Sequence, residues 1–106
     1  MASLLGEKIR DLRKKRGLTL DKLAKAAGLS KSYLWELENR ESQKPSAEKL
    51  ASLADALGVS TEYFLDDDAR APEEKHLDEA FFRGYKSLKS KEKEQLRKIL
   101  DAFKNE

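Results

Sequence analysis

The sequence predicts an all-α fold, and three observations lead to this prediction. Apolar residues recur at spacings of three and four along most of the chain, which is the period of a helix with one buried face. Ser or Thr precedes several of these runs and Gly follows others, at the positions where these residues cap helix ends. No segment shows the alternation of apolar and polar residues that is typical of a half-buried strand.

Five short helices are expected in the first 65 residues. The first carries Leu5, Ile9 and Leu12 on one face and ends at Gly17. The others begin after hydroxyl caps, namely Thr19, Ser30, Ser46 and Ser60 or Thr61. Apolar residues of the fifth helix are expected to close the core, and these are Tyr63, Phe64 and Leu65.

The rest of the chain is predicted to form an acidic linker and a C-terminal helical hairpin. The segment 66–75 is polar and acidic and contains Pro72, as is typical of a solvated linker. We therefore place a domain at 1–67, the linker at 68–76 and the helical segment at 77–106. Two helices of this length cannot bury their apolar faces alone, so these faces are expected to pack on the first domain or on another chain. The residues assigned to oligomerisation are Phe81, Phe82, Tyr85, Leu88, Leu96, Ile99, Leu100 and Phe103.

Composition narrows the class of protein. The 106 residues include no cysteine and one histidine, His76, so neither a thiolate metal site nor a cysteine nucleophile is available. A single imidazole among linker carboxylates gives no fixed coordination geometry, and we expect no metal, no cofactor and no enzymatic activity. The chain has no apolar run long enough for a membrane span or a signal peptide, which predicts a cytoplasmic protein.

Positive charge is concentrated in the N-terminal part of the chain. Residues 1–46 carry eleven Lys or Arg against six Asp or Glu, whereas residues 66–79 carry two against seven. A basic surface attracts polyanions through counterion release, although charge alone does not distinguish nucleic acid from an acidic protein.

Residues 19–40 predict two short helices joined at Gly28, which is the pattern of a helix-turn-helix. In the second helix Leu34 and Leu37 point inward. The opposite side mixes hydrogen-bond donors, an acceptor and an aromatic ring, which a protein core would not need. Its residues are Lys31, Ser32, Trp35 and Glu36.

The first 65 residues resemble the Xre or Cro/CI family of helix-turn-helix regulators. The resemblance rests on IRDLRKKRGLT at 9–19, KLAKAAGLSKSYLWELEN at 22–39 and KPSAEKLASLADALGVSTEYFL at 44–65. It implies a five-helix, lambda-repressor-like domain whose third helix enters the major groove of double-stranded DNA. The layout is most similar to stand-alone members of the family that use a helical extension to form oligomers.

The resemblance also implies roles for individual residues. The bases would be contacted by Lys31, Ser32, Trp35 and Glu36. For Trp35, which is predicted to be exposed, the contact is with thymine methyls or the DNA backbone, and the alternative is packing against the first helix or a partner subunit. The DNA backbone would be contacted by Thr19, Ser30, Tyr33, Asn39, Arg40, Ser42, Gln43 and Lys44. Arg13 and Glu38 would form a structural ion pair between the first and third helices. Leu20 departs from the family, which often has glutamine there as a backbone contact.

These features together predict a nucleoid-associated, sequence-specific transcriptional regulator. We expect a repressor that binds a palindromic operator as a homodimer, because one recognition helix reads too few base pairs for a genomic address. A tetramer is also compatible with the sequence. The alternative is an antitoxin or another interaction regulator whose C-terminal helices bind a toxin, an inhibitor or a peptidase.

Overall fold

The structure is a computed structural model that describes residues 3–41 and 44–105. Within these residues the chain forms seven α-helices and no strand, which confirms the all-α prediction. The molecule is elongated, with extents of 50 × 28 × 24 Å. The helices are α1 (Leu4–Lys15), α2 (Leu20–Ala27), α3 (Lys31–Asn39), α4 (Ala47–Leu57), α5 (Thr61–Leu65), α6 (Glu74–Lys86) and α7 (Ser90–Lys104).

Side-chain caps fix where the first four helices begin. The Ser30 Oγ accepts the backbone N–H of Tyr33 at 3.1 Å, and Ser3, Thr19 and Ser46 cap α1, α2 and α4 in the same way. Ser60 occupies the N-cap position of α5 but makes no cap hydrogen bond, and its buried hydroxyl has no hydrogen-bond partner. The predicted start of α5 is therefore correct, but the Ser60 side chain does not cap the helix.

The core lies between α1 to α5, and leucine is its most frequent residue. At its centre Ile9, Leu23, Leu34 and Leu53 have no exposed surface. Gly6 allows α1 to cross α3 closely, because a Cβ at this position would collide with the Leu37 carbonyl oxygen. This close crossing sets how far α3 stands out from the rest of the domain.

The last residue of α5 differs from the prediction. Tyr63 and Phe64 are buried, as expected, but the Leu65 side chain is 69% exposed. The five residues of α5 make little more than one turn, and Leu65 lies on the side that faces away from the core.

Most of the segment 66–75 is exposed, as a solvated linker would be, but two residues of the predicted linker, Ala69 and His76, are buried. The His76 side chain is fully buried, with its ring centroid 5.3 Å from that of Tyr63, and Ala69 is 6% exposed. The backbone N–H of Glu73 donates to Nδ1 of His76 at 2.9 Å, which stabilises the first turn of α6. With this contact at its start, α6 begins at Glu74 rather than near Leu77.

The start of α7 also differs by one residue from the prediction that Ser90 caps it. Ser90 is the first helical residue, and Lys89 occupies the cap position. The Glu92 carboxylate accepts the Lys89 backbone N–H at 2.9 Å, which is the carboxylate half of a capping box, and no hydroxyl caps the helix.

Candidate nucleic-acid interface

Helix α3 presents a polar face to the outside of the domain. Leu34 and Leu37 anchor the helix in the core, with at most 1% of their surface exposed. On the other side Lys31 and Ser32 are exposed, and Trp35 is 47% exposed. Glu36 is half-buried and belongs to the same face. The four residues predicted to contact bases therefore lie together on one accessible surface.

A shallow cleft separates this face from the start of α2. Its volume is about 280 Å³, and it is lined by Leu20, Lys31, Ser32, Trp35 and Glu36. Leu20 is the first residue of α2 and packs against the core with part of its side chain. The sequence assigned Leu20 no site role, because nothing in one sequence shows which residues line a cleft between two helices.

The end of α3 is held by contacts around Trp35. The Arg40 guanidinium lies 5.8 Å from the centroid of the Trp35 ring. The Asn39 side-chain amide donates to the Trp35 carbonyl oxygen at 2.9 Å. Asn39 thus uses one donor within its own helix and keeps its second amide hydrogen and its oxygen for another partner.

Cations flank α3 on more than one side. Lys44 and Arg40 are exposed after the helix. The Lys49 ammonium lies 4.4 Å from the centroid of the Tyr33 ring, although no pattern in the sequence indicated this contact between α3 and α4. The predicted backbone contacts Ser42 and Gln43 lie outside the described residues. The surface around α3 thus offers positive charge on both flanks.

Two of the predicted backbone contacts serve as helix caps. Thr19 Oγ1 accepts the Lys22 N–H at 3.1 Å, and Ser30 caps α3. Each hydroxyl still has a hydrogen to donate, so capping does not prevent contact with a phosphate.

An ion pair holds α1 to the end of α3. Arg13 Nε and Nη2 donate to the two carboxylate oxygens of Glu38 at 2.8 and 2.9 Å, and Nη1 donates to the Leu18 carbonyl oxygen at 3.0 Å. Glu38 is 1% exposed. The predicted pair is thus present in the structure as a two-pronged, buried contact that fixes the angle of α3.

A buried lysine closes the side of the domain near α5. Lys8 is 3% exposed, and its ammonium donates to the carbonyl oxygens of Tyr63 at 2.8 Å and Asp66 at 2.5 Å. Burial lowers the pKa of Lys8, while the negative charge of Asp66 partly offsets this effect. Burial also raises the pKa of the Tyr63 hydroxyl. Lys8 satisfies carbonyl groups at the end of α5 and so has a structural role.

No group of three or more His, Asp or Glu within residues 3–41 and 44–105 is arranged to hold a metal ion. None of the helices in that part of the chain has the length and apolar character of a membrane span.

Helices α6 and α7 enclose an apolar groove. Its volume is about 470 Å³, and Phe82 and Tyr85 stack inside it with ring centroids 6.5 Å apart. Most of the lining side chains are strongly exposed, for example Phe81 at 65% and Phe103 at 72%. Seven of the eight residues predicted for oligomerisation line it, together with Arg97, and these are Phe81, Phe82, Tyr85, Leu96, Ile99, Leu100 and Phe103. Leu88 is half-buried and does not line the groove.

Comparisons with known proteins agree with this geometry. A family model described as a helix-turn-helix domain matches residues 4–63. The HTH-type transcriptional regulator SinR of Bacillus subtilis (strain 168) is 30% identical over 100 residues, which cover 92% of this chain and 90% of SinR.

Two solved structures extend the comparison. A crystal structure of SinR, described as the master regulator for biofilm formation, in complex with DNA matches with a TM-score of 0.56 at 37% identity. It covers 58% of this chain and 98% of that chain. A structure of the SinR/SinI protein complex matches with a TM-score of 0.59 at 29% identity over 94% of both chains. The chain belongs to the helix-turn-helix family of DNA-binding transcriptional regulators and resembles SinR.

Proposed function

We propose that the protein is a repressor that binds a palindromic operator as a homodimer, with α3 of each copy in a major groove. The observation that carries this proposal is the accessible polar face of α3, because the buried Leu34 and Leu37 leave its other side free to enter a groove. A relative of similar fold, SinR, has been solved in complex with DNA, which supports DNA as the ligand.

Within this proposal the residues divide into two groups. The Lys31 ammonium donates to O6 and N7 of guanine, and the Glu36 carboxylate accepts from N4 of cytosine. Ser32 and Trp35 complete the contacts to base edges. Contacts to phosphates fix the register of the protein without reading sequence. They come from Thr19, Ser30, Tyr33, Asn39, Arg40, Ser42, Gln43 and Lys44.

The apolar groove supports the assignment of a second copy of the chain as partner. Exposed aromatic rings such as those of Phe81 and Phe103 are unfavourable in water. In a symmetric dimer, the grooves of both copies would be buried against each other. Charge is also compatible, since α7 carries five Lys or Arg against three Asp or Glu while the first half of α6 is acidic. A dimer places two copies of α3 about 34 Å apart, one turn of the duplex.

The first test separates base contacts from phosphate contacts. Binding sites would be selected from random duplexes, and the dissociation constants of single variants would be measured on the selected site and on scrambled DNA. We expect Lys31→Ala to weaken the selected site by about 1 to 3 kcal/mol and to change scrambled DNA little. Lys44→Ala is expected to weaken both DNAs about equally and to lower the salt dependence by about one counterion.

The control for this test is Lys91→Ala, which removes an exposed lysine from α7 outside the groove. It should leave both affinities within about twofold. Equal losses for Lys31→Ala on both DNAs would contradict the assignment of Lys31 to a base. Failure to select any site would contradict the proposed function as a whole.

A second candidate function is favoured by the same groove. A groove this open could instead hold a helix of another protein, as in an antitoxin or a regulator that an inhibitor or peptidase engages. The relative SinR is seen in a complex with SinI, which supports this alternative. The two candidates differ in the oligomeric state of the isolated chain, which light scattering measures.

A further inference from the structure

We propose that Leu20 and Trp35 together form a contact for the C5-methyl group of a thymine in the operator. The inference rests on the proposed placement of α3 in the major groove. It assigns Leu20, at the start of α2, a direct part in sequence specificity.

The cleft between α2 and α3 has an apolar side and a polar side. Leu20 and Trp35 supply the apolar side, whereas Lys31, Ser32 and Glu36 supply hydrogen-bonding groups. Leu20 packs partly on the core, so its position is set by the domain. The Arg40 guanidinium lies 5.8 Å from the centroid of the Trp35 ring. Leu20 and Trp35 therefore present an apolar surface beside hydrogen-bonding groups.

In the free protein the exposed part of this apolar surface faces water. Apart from Leu65 on α5, Trp35 is the most exposed large hydrophobic residue in the first five helices of the described chain. An indole in contact with water favours an apolar partner. In the major groove the apolar group on a base edge is the C5-methyl of thymine, whereas the other bases offer donors and acceptors.

The neighbouring residues limit where that thymine stands. Lys31 and Trp35 are four positions apart on α3, which is about 6 Å along the helix axis. Successive base pairs are about 3.4 Å apart. A thymine held by Leu20 and Trp35 therefore lies within about two base pairs of the guanine that Lys31 contacts. We expect each half-site to contain such a thymine.

Replacing thymine by deoxyuridine tests the inference, because this change removes only the methyl group. Each thymine of a site selected from random duplexes would be replaced in turn, and the dissociation constant of the full chain would be measured. We expect one position per half-site at which deoxyuridine weakens binding about threefold to tenfold. In Leu20→Ala and in Trp35→Ala this loss should fall below about twofold, since the surface that recognised the methyl is gone.

The matched control is Leu65→Ala, which truncates an exposed leucine of the same domain outside the cleft. It should keep the full effect of deoxyuridine. If Leu20→Ala weakens thymine and deoxyuridine duplexes equally, Leu20 contacts the sugar-phosphate backbone and the inference is wrong. It is also wrong if no thymine position is sensitive.

Two further measurements distinguish a folding defect from the loss of methyl recognition. Circular dichroism would verify that Leu20→Ala remains folded, and Trp35→Ala provides a second test because Trp35 lies mainly outside the core. If no site can be selected from random DNA, the proposed function fails. If a site is selected but is insensitive to the methyl group, only the present inference fails.

Discussion

At the scale of single residues, the contact between Arg13 and Glu38 is the most buried ion pair in the described part of the chain. Its two hydrogen bonds join α1 to the end of the helix that we place in the DNA. The carboxylate is almost completely removed from water. Losing one partner of such a pair leaves the other charge buried and unpaired.

We expect Glu38→Gln to lower the free energy of unfolding by about 3 kcal/mol, because Arg13 then faces a neutral amide in a buried site. Urea denaturation followed by circular dichroism would measure the change. The exposed pair of Asp21 and Lys25 on α2 offers a control, and Asp21→Asn should change stability by less than about 1 kcal/mol. A loss below 1 kcal/mol for Glu38→Gln would show that the buried pair contributes little.

Some residue roles could be predicted from the sequence and others could not. The outward polar face of α3 follows from helical spacing alone, because Leu34 and Leu37 fix which side is inward. Lys8 and Lys49 could not be assigned in this way. Lys8 donates to a carbonyl oxygen 55 positions away, and neither contact leaves a local pattern in the chain.

At the scale of elements, helix starts and ends were predictable where the signal is local. Ser30 and Gly28 satisfy backbone groups within the adjacent turns, so their roles depend on neighbours in sequence. The acidic composition of the linker agrees with the exposure of most of its residues. The burial of Ala69 and His76 was not predictable, because it depends on tertiary packing, such as that of the His76 ring beside Tyr63 of α5.

Helix α6 is attached to the first domain by Arg83, a residue that the sequence assigned no role. Its guanidinium pairs with the Asp55 carboxylate and donates to the Val59 carbonyl oxygen at 3.0 Å. Lys75 on α6 also pairs with Glu62 at 3.4 Å, which raises the pKa of Lys75. These contacts orient α6 relative to α4 and α5.

We expect Arg83→Gln to loosen the orientation of α6 while changing the free energy of unfolding by less than about 1 kcal/mol, since the pair with Asp55 is partly exposed. The chain has no cysteine, so nitroxides could be attached at Ala51→Cys and Lys98→Cys without other changes. Electron-spin distance measurements, with labelled protein diluted into unlabelled, should give a broader distribution in the variant.

The reciprocal exchange of Arg83→Asp with Asp55→Arg serves as the control, because it restores opposite charges across the same contact. This double variant should recover much of the narrow distance distribution. An equally narrow distribution in Arg83→Gln would mean that His76 and Lys75 suffice to hold the helix.

At the scale of the whole molecule, the apolar groove of α6 and α7 contains most of the large hydrophobic side chains that are exposed in the described residues. Phe81→Glu is expected to weaken self-association at least tenfold, because a carboxylate would have to be buried among aromatic rings. Sedimentation velocity would measure this. Leu65→Glu, which places the same charge on an exposed leucine outside the groove, should leave association unchanged.

Operator affinity should fall together with association if the groove joins two copies. Should Phe81→Glu retain both the oligomeric state and full affinity, the groove belongs to a different protein partner. A substitution is preferable to truncation here, since removing α6 and α7 would also remove His76, which packs on Tyr63.

The attachment of α6 through Arg83 has a consequence for the choice of DNA. Suppose that α6 and α7 join two copies and that α6 of each copy is fixed to its own first domain. The distance and the rotation between the two α3 helices are then fixed as well. One additional base pair between the half-sites turns one of them by about 34° around the duplex axis. Such a protein would respond to the spacing of the two half-sites as well as to their base sequence. A bound molecule that altered the contact between α6 and the first domain would then weaken DNA recognition without touching α3.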